Sequence, residues 1–114
     1  MGAFVISKRF NGEYKFAFTS RKGKTIFSSQ GYELKFECEE AIELLKSNLA
    51  DAVYSRHKAS GGRYYFRMKV GEALLVTSRK YSTELRLQKG IDEINQSAVA
   101  AEVLDFSQND VIFN

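Results

Sequence analysis

One pattern of residues occurs twice in this chain, and that repetition limits its possible folds more than any other feature. Residues 11–18 align with residues 61–68, and residues 26–32 align with residues 75–81. The separation of the copies shortens by one residue between Ser20 and Gly23, where a turn is expected and a deletion does least harm. A pattern that changes its offset only at a turn predicts a duplicated structural unit.

Each copy predicts three strands followed by a helix. In the central strands, large apolar residues alternate with polar or small ones, which indicates one buried face per strand. These buried stripes are Tyr14-Phe16-Phe18 and Tyr64-Phe66-Met68. The Asn11-Gly12 pair is a hairpin signal, and Ser60-Gly61-Gly62 predicts the matching turn in the second copy.

The helix of each copy shows one apolar face at helical spacing. In the first helix the predicted apolar positions are Leu34, Cys38, Ala41, Ile42, Leu45 and Leu49. In the second helix, which runs to about Ser97, they are Leu87, Ile91, Ile94 and Ala98. We expect Ser82 or Thr83 to cap the second helix, because a side-chain oxygen there can accept a backbone N–H.

We interpret residues 1–114 as a single domain built from two units, at about 2–52 and 53–106, with a C-terminal tail at 107–114. A unit of about 50 residues buries too little apolar surface to be comfortably stable alone, so the units should share one core. The order of elements predicts an α+β domain, with an antiparallel sheet and two helices on one face.

The ordered set of repeated residues resembles the YegP-like family of bacterial tandem-repeat domains. The first copy supplies Gly2, Phe4, Ile6, Gly12, Tyr14, Phe16, Gly23, Ile26, Ser29, Tyr32, Lys35 and Ile42. The second supplies Gly62, Tyr64, Phe66, Arg67, Met68, Lys69, Leu75, Ser78, Tyr81, Gly90, Ile91 and Ile94. The resemblance implies two β-β-β-α-β repeats forming one mainly antiparallel sheet, with end strands exchanged between repeats, and it implies no activity.

Composition excludes several classes of site. One cysteine cannot form an intramolecular disulfide, and one cysteine with one histidine cannot supply the four ligands of structural zinc. We therefore expect no metal and no cofactor. The absence of a basic leader or a long apolar run, together with the single thiol, favours a cytoplasmic protein with no membrane association.

The candidate catalytic residues favour structural roles. His57 lies between Arg56 and Lys58 rather than beside a carboxylate that would orient a general base. Cys38 lies between two glutamates, which raise the pKa of a thiol and so disfavour a nucleophile. The Ser29/Tyr32 and Ser78/Tyr81 pairs recur at the strand-to-helix junction, where we interpret them as architecture. We predict that the protein is not an enzyme, and an active site at these junctions is the alternative.

The outward-facing residues of the second central strand are the candidate binding face: Arg63, Tyr65, Arg67 and Lys69. An exposed ring among cations suits a macromolecular contact, and we predict binding of another protein through the open sheet face. The alternative is weak single-stranded nucleic-acid binding through the same residues, since a tyrosine can stack on a base while cations hold phosphates. We expect a monomer or a weak homodimer, because both halves of the sheet are present in one chain.

Overall fold

A computed structural model describes residues 2–72 and 74–107 of the chain, with the side chains of Leu74 and Leu75 left out. Its strands are β1 (Ala3–Lys8), β2 (Tyr14–Thr19), β3 (Thr25–Ser29), β4 (Val53–Lys58), β5 (Tyr64–Val70), β6 (Leu74–Ser78) and β7 (Glu102–Asp105). The helices are α1 (Lys35–Ser47) and α2 (Glu84–Ser97). Of the predicted tail at 107–114, only Ser107 belongs to the described residues.

The described strands form one sheet in the order β4-β5-β6-β3-β2-β1-β7. The two halves of the chain meet at the centre, where β3 and β6 pair antiparallel with Phe27 opposite Ser78. The last strand, β7, returns to the first half and pairs parallel with β1, while β4, which follows α1, pairs with β5. The predicted α+β class and mainly antiparallel sheet are confirmed. The division of the chain into two copies of one unit stays a prediction.

The core lies between one face of the sheet and the two helices. Alternation places the largest side chains of both central strands on that face, and Phe16, Phe18, Phe66 and Met68 are completely buried there. The helices contribute the residues that the 3.6-residue period predicts, including Cys38, Ile42, Leu87 and Ile94.

The predicted start of the first apolar helix face was wrong at one position. Leu34 is 57% exposed because it precedes the first turn of α1 as the capping residue, and its side chain does not point at the sheet. Its backbone N–H donates to a carboxylate oxygen of Glu37 at 3.1 Å. In α2 the predicted cap is confirmed, since Thr83 Oγ1 accepts a hydrogen bond from the backbone N–H of Arg86 at 3.1 Å.

Tyr54 on β4 carries a buried hydroxyl with no hydrogen-bond partner among the described residues. Its ring packs edge-on against Phe66, with centroids 5.6 Å apart. Burial raises the pKa of Tyr54 to about 12. Burying a hydroxyl without a hydrogen-bond partner costs about 1–3 kcal/mol, because no bond within the protein replaces the lost bonds to water.

We therefore expect Tyr54→Phe to raise the free energy of unfolding by about 1 kcal/mol, measured by urea denaturation at pH 7. The pKa of Tyr54 in the folded state lies above the ordinary value of 10.0, so the unfolded chain loses this proton first and wild-type stability falls as the pH rises from 10 toward 12. The Phe variant should lose less stability than wild type over that range. A variant less stable than wild type at pH 7 would contradict this assignment.

Candidate functional site

The open face of the sheet, on the side opposite the helices, carries the central part of the predicted binding face. Buried Phe66 and Met68 point toward the helices, so the alternating residues Tyr65, Arg67 and Lys69 point away. Arg67 and Lys69 are exposed, and Tyr65 is half-buried. The structure therefore brings these three predicted residues onto one surface.

Tyr65 is held between a neighbour from β4 and a neighbour from its own strand. The register of the β4–β5 hairpin sets His57 opposite Tyr65, and their rings stack with centroids 5.0 Å apart and planes inclined by 22°. The guanidinium carbon of Arg67 lies 5.9 Å from the Tyr65 ring centroid. We call His57, Tyr65 and Arg67 the Tyr65 cluster. This contact orients the tyrosine ring and leaves the cationic group of Arg67 at the surface.

Sequence reasoning assigned His57 to an exposed strand position without linking it to Tyr65. The Ser60-Gly61-Gly62 turn in the sequence could have predicted this pairing. In the structure, Gly61 and Gly62 adopt φ values of 79° and 76° there. Counting outward along an antiparallel hairpin from such a turn places the two rings side by side. His57 is also bonded locally, since its Nε2 lies 2.9 Å from the Ser55 hydroxyl oxygen.

The two outer members of the predicted set have other surroundings. Lys69 Nζ lies 3.7 Å from a carboxylate oxygen of Glu72 in the turn after β5, an exposed pair of small energetic value. Arg63 precedes β5 and lines a cleft beside α2 rather than joining the Tyr65 cluster.

The serines of the two strand-to-helix junctions bind backbone groups. Ser29 Oγ accepts the N–H of Phe16 at 3.0 Å and donates to the carbonyl of Gln30 at 2.8 Å. Ser78 Oγ accepts the N–H of Phe66 at 2.9 Å and donates to the carbonyl of Arg79 at 2.7 Å. Both hydroxyls replace strand hydrogen bonds where the chain leaves the sheet, and this role accounts for their recurrence.

The junction tyrosines pack against the core stripes. Tyr32 stacks on Phe16 and Tyr81 stacks on Phe66, each with ring centroids 6.4 Å apart. Tyr81 is only 8% exposed, whereas Tyr32 is half-buried. Burial is the main cause that raises the pKa of both hydroxyls above the ordinary value. Neither tyrosine therefore has the lowered pKa that would make it a ready proton acceptor at neutral pH.

Cys38 has the environment of a structural residue. The side chain is completely buried, and desolvation together with Glu39 and Asp105 raises the pKa of its thiol to about 12. A thiol with this pKa is protonated at neutral pH and is a poor nucleophile. Within the part of the chain that the structure describes, no group of three or more His, Cys, Asp or Glu side chains is arranged to hold a metal ion.

Neither described helix has the length and apolar character that crossing a membrane requires.

Comparison with known proteins gives consistent matches. Residues 11–54 match the model of a domain of unknown function, DUF1508. A UPF0339 protein encoded in the ptx operon 5′ region of Stutzerimonas stutzeri is 33% identical over 91% of this chain and 96% of its own length. The solution NMR structure of YegP, a protein of unknown function from Escherichia coli, superposes with a TM-score of 0.82 at 27% identity and covers 93% of each chain.

A shorter relative matches half of the chain. A UPF0339 protein of Agrobacterium fabrum is 44% identical over 52 residues, which represent 46% of this chain and 84% of that protein. A segment of 52 residues thus makes up most of that separate protein.

Proposed function

Because this chain belongs to the bacterial UPF0339, or YegP-like, family of unknown function, we propose that it is a small non-enzymatic cytoplasmic module that binds another protein through the open face of its sheet. The observation that carries this proposal is the Tyr65 cluster, an aromatic and cationic group presented on a face that neither described helix covers. Tyrosine and arginine are the residue types that most often dominate binding energy at protein interfaces.

The charges of this face indicate the chemistry of the partner. Sheet alternation places Lys15 of β2 on the same side as Arg67 and Lys69, and the acidic Glu102 lies at the far edge on β7. Among the side chains between them, Ala17 and Thr77 are small. A partner with acidic side chains around an apolar centre would complement this surface, with the Tyr65 cluster as the anchor.

The alternative is weak single-stranded nucleic-acid binding through the same face. Tyr65 and Arg67 supply the ring and the cation that strand binding uses. His57, however, already covers one face of the Tyr65 ring, which leaves a single face for a base. This contact favours the protein partner over the nucleic acid at this surface. The chain is expected to act as a monomer or weak homodimer.

The test is affinity capture with a double variant, Tyr65→Ala with Arg67→Ala. Both side chains lie on the solvent side of the sheet, so the variant should fold, as checked by circular dichroism and thermal unfolding. We expect at least a tenfold loss of the captured protein, identified by mass spectrometry, relative to wild type.

The matched control is Arg9→Ala with Phe10→Ala, an exposed arginine and aromatic in the β1–β2 turn, and β1 lies four strands away from β5 in the sheet. It should retain the captured protein. Equal recovery with both variants would contradict the placement of the binding face. A labelled oligonucleotide bound by wild type and lost only in the Tyr65/Arg67 variant would replace the protein by the nucleic-acid alternative.

A further inference from the structure

A cleft of about 1110 Å³ lies between α2 and the β2–β3 turn, on the helix side of the sheet. Its lining includes eight lysine and arginine residues against two carboxylates, Asp92 and Glu93. The chain has 17 basic residues in all, so nearly half of its positive charge surrounds one concavity. This concentration of basic residues contrasts with the weak net charge of +3 for the whole chain.

The basic residues reach the cleft from separate elements. Three belong to the β2–β3 turn: Arg21, Lys22 and Lys24. Arg63 precedes β5, and Arg79 and Lys80 follow β6. The last two, Arg86 and Lys89, lie on α2. Among the described residues, none of these basic groups lies within 4.0 Å of a carboxylate oxygen. With Asp92 and Glu93 counted, the described lining still carries six more basic than acidic residues.

The equivalent face of α1 has the opposite charge. In the alignment of the two copies, Glu37 and Glu40 take the places of Arg86 and Lys89, and Tyr32 takes the place of Tyr81. These α1 residues line a separate hollow of about 680 Å³. Because α1 and α2 occupy the same place on their halves of the sheet, the fold does not require basic residues at these positions. The requirements of folding therefore do not explain why these positions on α2 are basic.

We propose that this cleft binds the phosphate backbone of a single nucleic-acid strand without reading its sequence. The α2 residues that line it extend from Arg86 to Ser97, which at 1.5 Å per residue is about 17 Å. One phosphate group can contact two or three cations, whereas a chain of phosphates can use the cations that separate elements supply around this cleft.

The cleft offers phosphate contacts but no platform for bases. Tyr81 is the aromatic residue of the described lining, and its ring is buried against Phe66 under Arg79. Bases would therefore point away from the floor while lysines and arginines contact the backbone. Contacts of this kind fix position and affinity but carry no sequence information.

The acidic face of α1 explains the preference for one strand. Both helices lie on the same side of the sheet, so a rigid duplex that extends from the cleft to α1 would bring its phosphates toward Glu37 and Glu40. A flexible single strand can follow the concave wall beside α2 and stay clear of the acidic helix.

The test uses fluorescence anisotropy with a labelled 12-nucleotide thymidine strand and the full-length protein. If about four phosphates are neutralised, the dissociation constant should rise about 50-fold between 50 and 200 mM salt. Arg86→Glu with Lys89→Glu should weaken binding by at least tenfold at 50 mM salt. Lys22→Glu with Lys24→Glu, on the opposite wall of the cleft, should also weaken binding by at least tenfold. This second variant still tests the cleft if the first one fails to fold.

The matched control is Arg67→Glu with Lys69→Glu on the open face, which changes the net charge by the same amount. We expect this variant to retain most of the affinity. Equal losses in cleft and open-face variants would mean that net charge alone drives binding, and loss only in the open-face variant would place the strand there. Either result overturns the proposal, as does no binding at 50 mM salt, or tighter binding of the matched duplex or of a phosphopeptide.

Discussion

Replacing Phe27 by alanine should lower the free energy of unfolding by about 3–5 kcal/mol. Phe27 is completely buried on β3, the strand through which the first half of the sheet meets β6. Its ring lies 5.6 Å from Phe18, 6.4 Å from Phe4 and 6.5 Å from Phe16, measured between centroids. Removing it leaves a cavity among three other rings that cannot all move inward, because each is fixed on a paired strand.

Urea denaturation monitored by circular dichroism measures this loss. The whole domain is expected to be stable by about 5–15 kcal/mol, so the Phe27 variant should remain folded but marginal. Phe10→Ala is the matched control, because Phe10 lies fully exposed in the β1–β2 turn. Its change should stay within about 0.5 kcal/mol. A Phe27 variant that loses less than the control would contradict the packing described for β3.

Gly90→Ala should lower the free energy of unfolding by about 2 kcal/mol, although alanine is the better helix former by about 1 kcal/mol. A β-carbon built at Gly90 would lie 2.9 Å from Cζ of Tyr81 and closer still to its hydroxyl oxygen. Tyr81 cannot easily move aside, because its ring stacks on Phe66 and its backbone exchanges hydrogen bonds of 2.7 and 2.8 Å with Tyr64. Overpacking at this contact therefore exceeds the gain in helix propensity.

A double-mutant cycle assigns the Gly90 effect to the contact. In a Tyr81→Phe background the hydroxyl is gone, so Gly90→Ala should lose less stability than in wild type. Ala41→Gly is the matched reverse change, because Ala41 is the aligned residue of α1 and has room for its β-carbon beside Tyr32. It should destabilise the protein by about 1–2 kcal/mol, through lower helix propensity together with the loss of a buried methyl group. A stabilising Gly90→Ala would show that Tyr81 can shift at little cost.

The two proposed surfaces can be tested independently because they lie on opposite sides of the sheet. The Tyr65 cluster is on the open face, and the basic cleft lies beside α2 on the helix side. Variants of one surface should leave the other intact. Retained protein capture in the cleft variant, together with retained strand binding in the Tyr65/Arg67 variant, would establish two separate sites.

Much of the fold could be predicted from local patterns. Tyr14-Phe16-Phe18 and Tyr64-Phe66-Met68 alternate with period two, and in each stripe the phenylalanines and the methionine are buried as predicted. Thr83 could be identified as a helix cap because capping depends on neighbours in the chain. Leu34 was misassigned because helical spacing alone does not locate the first turn, and one residue at its edge can leave the buried face.

The candidate sites could not be predicted in full, because they depend on contacts between residues that are far apart in the sequence. The pairing of His57 with Tyr65 requires the register of a hairpin, and the separation of Arg63 from Tyr65 requires the path of the chain before β5. The basic cleft combines residues from the β2–β3 turn with residues of α2 more than 60 positions later. In the linear chain these cations are interspersed with acids, so the sequence predicted only a mixed, weakly basic surface.

The sequence by itself determined the order of strands and helices and the face that each turns to the core, because apolar periodicity and turn chemistry act between near neighbours. Only the tertiary structure decided which charged side chains share a surface. That outcome depends on long-range strand pairing, through which β3 and β6 join the two halves and bring the β2–β3 turn beside α2. The charge difference between the aligned faces of α1 and α2 is visible in the sequence. The cleft that collects the basic side chains of α2 and the β2–β3 turn forms only in the folded molecule.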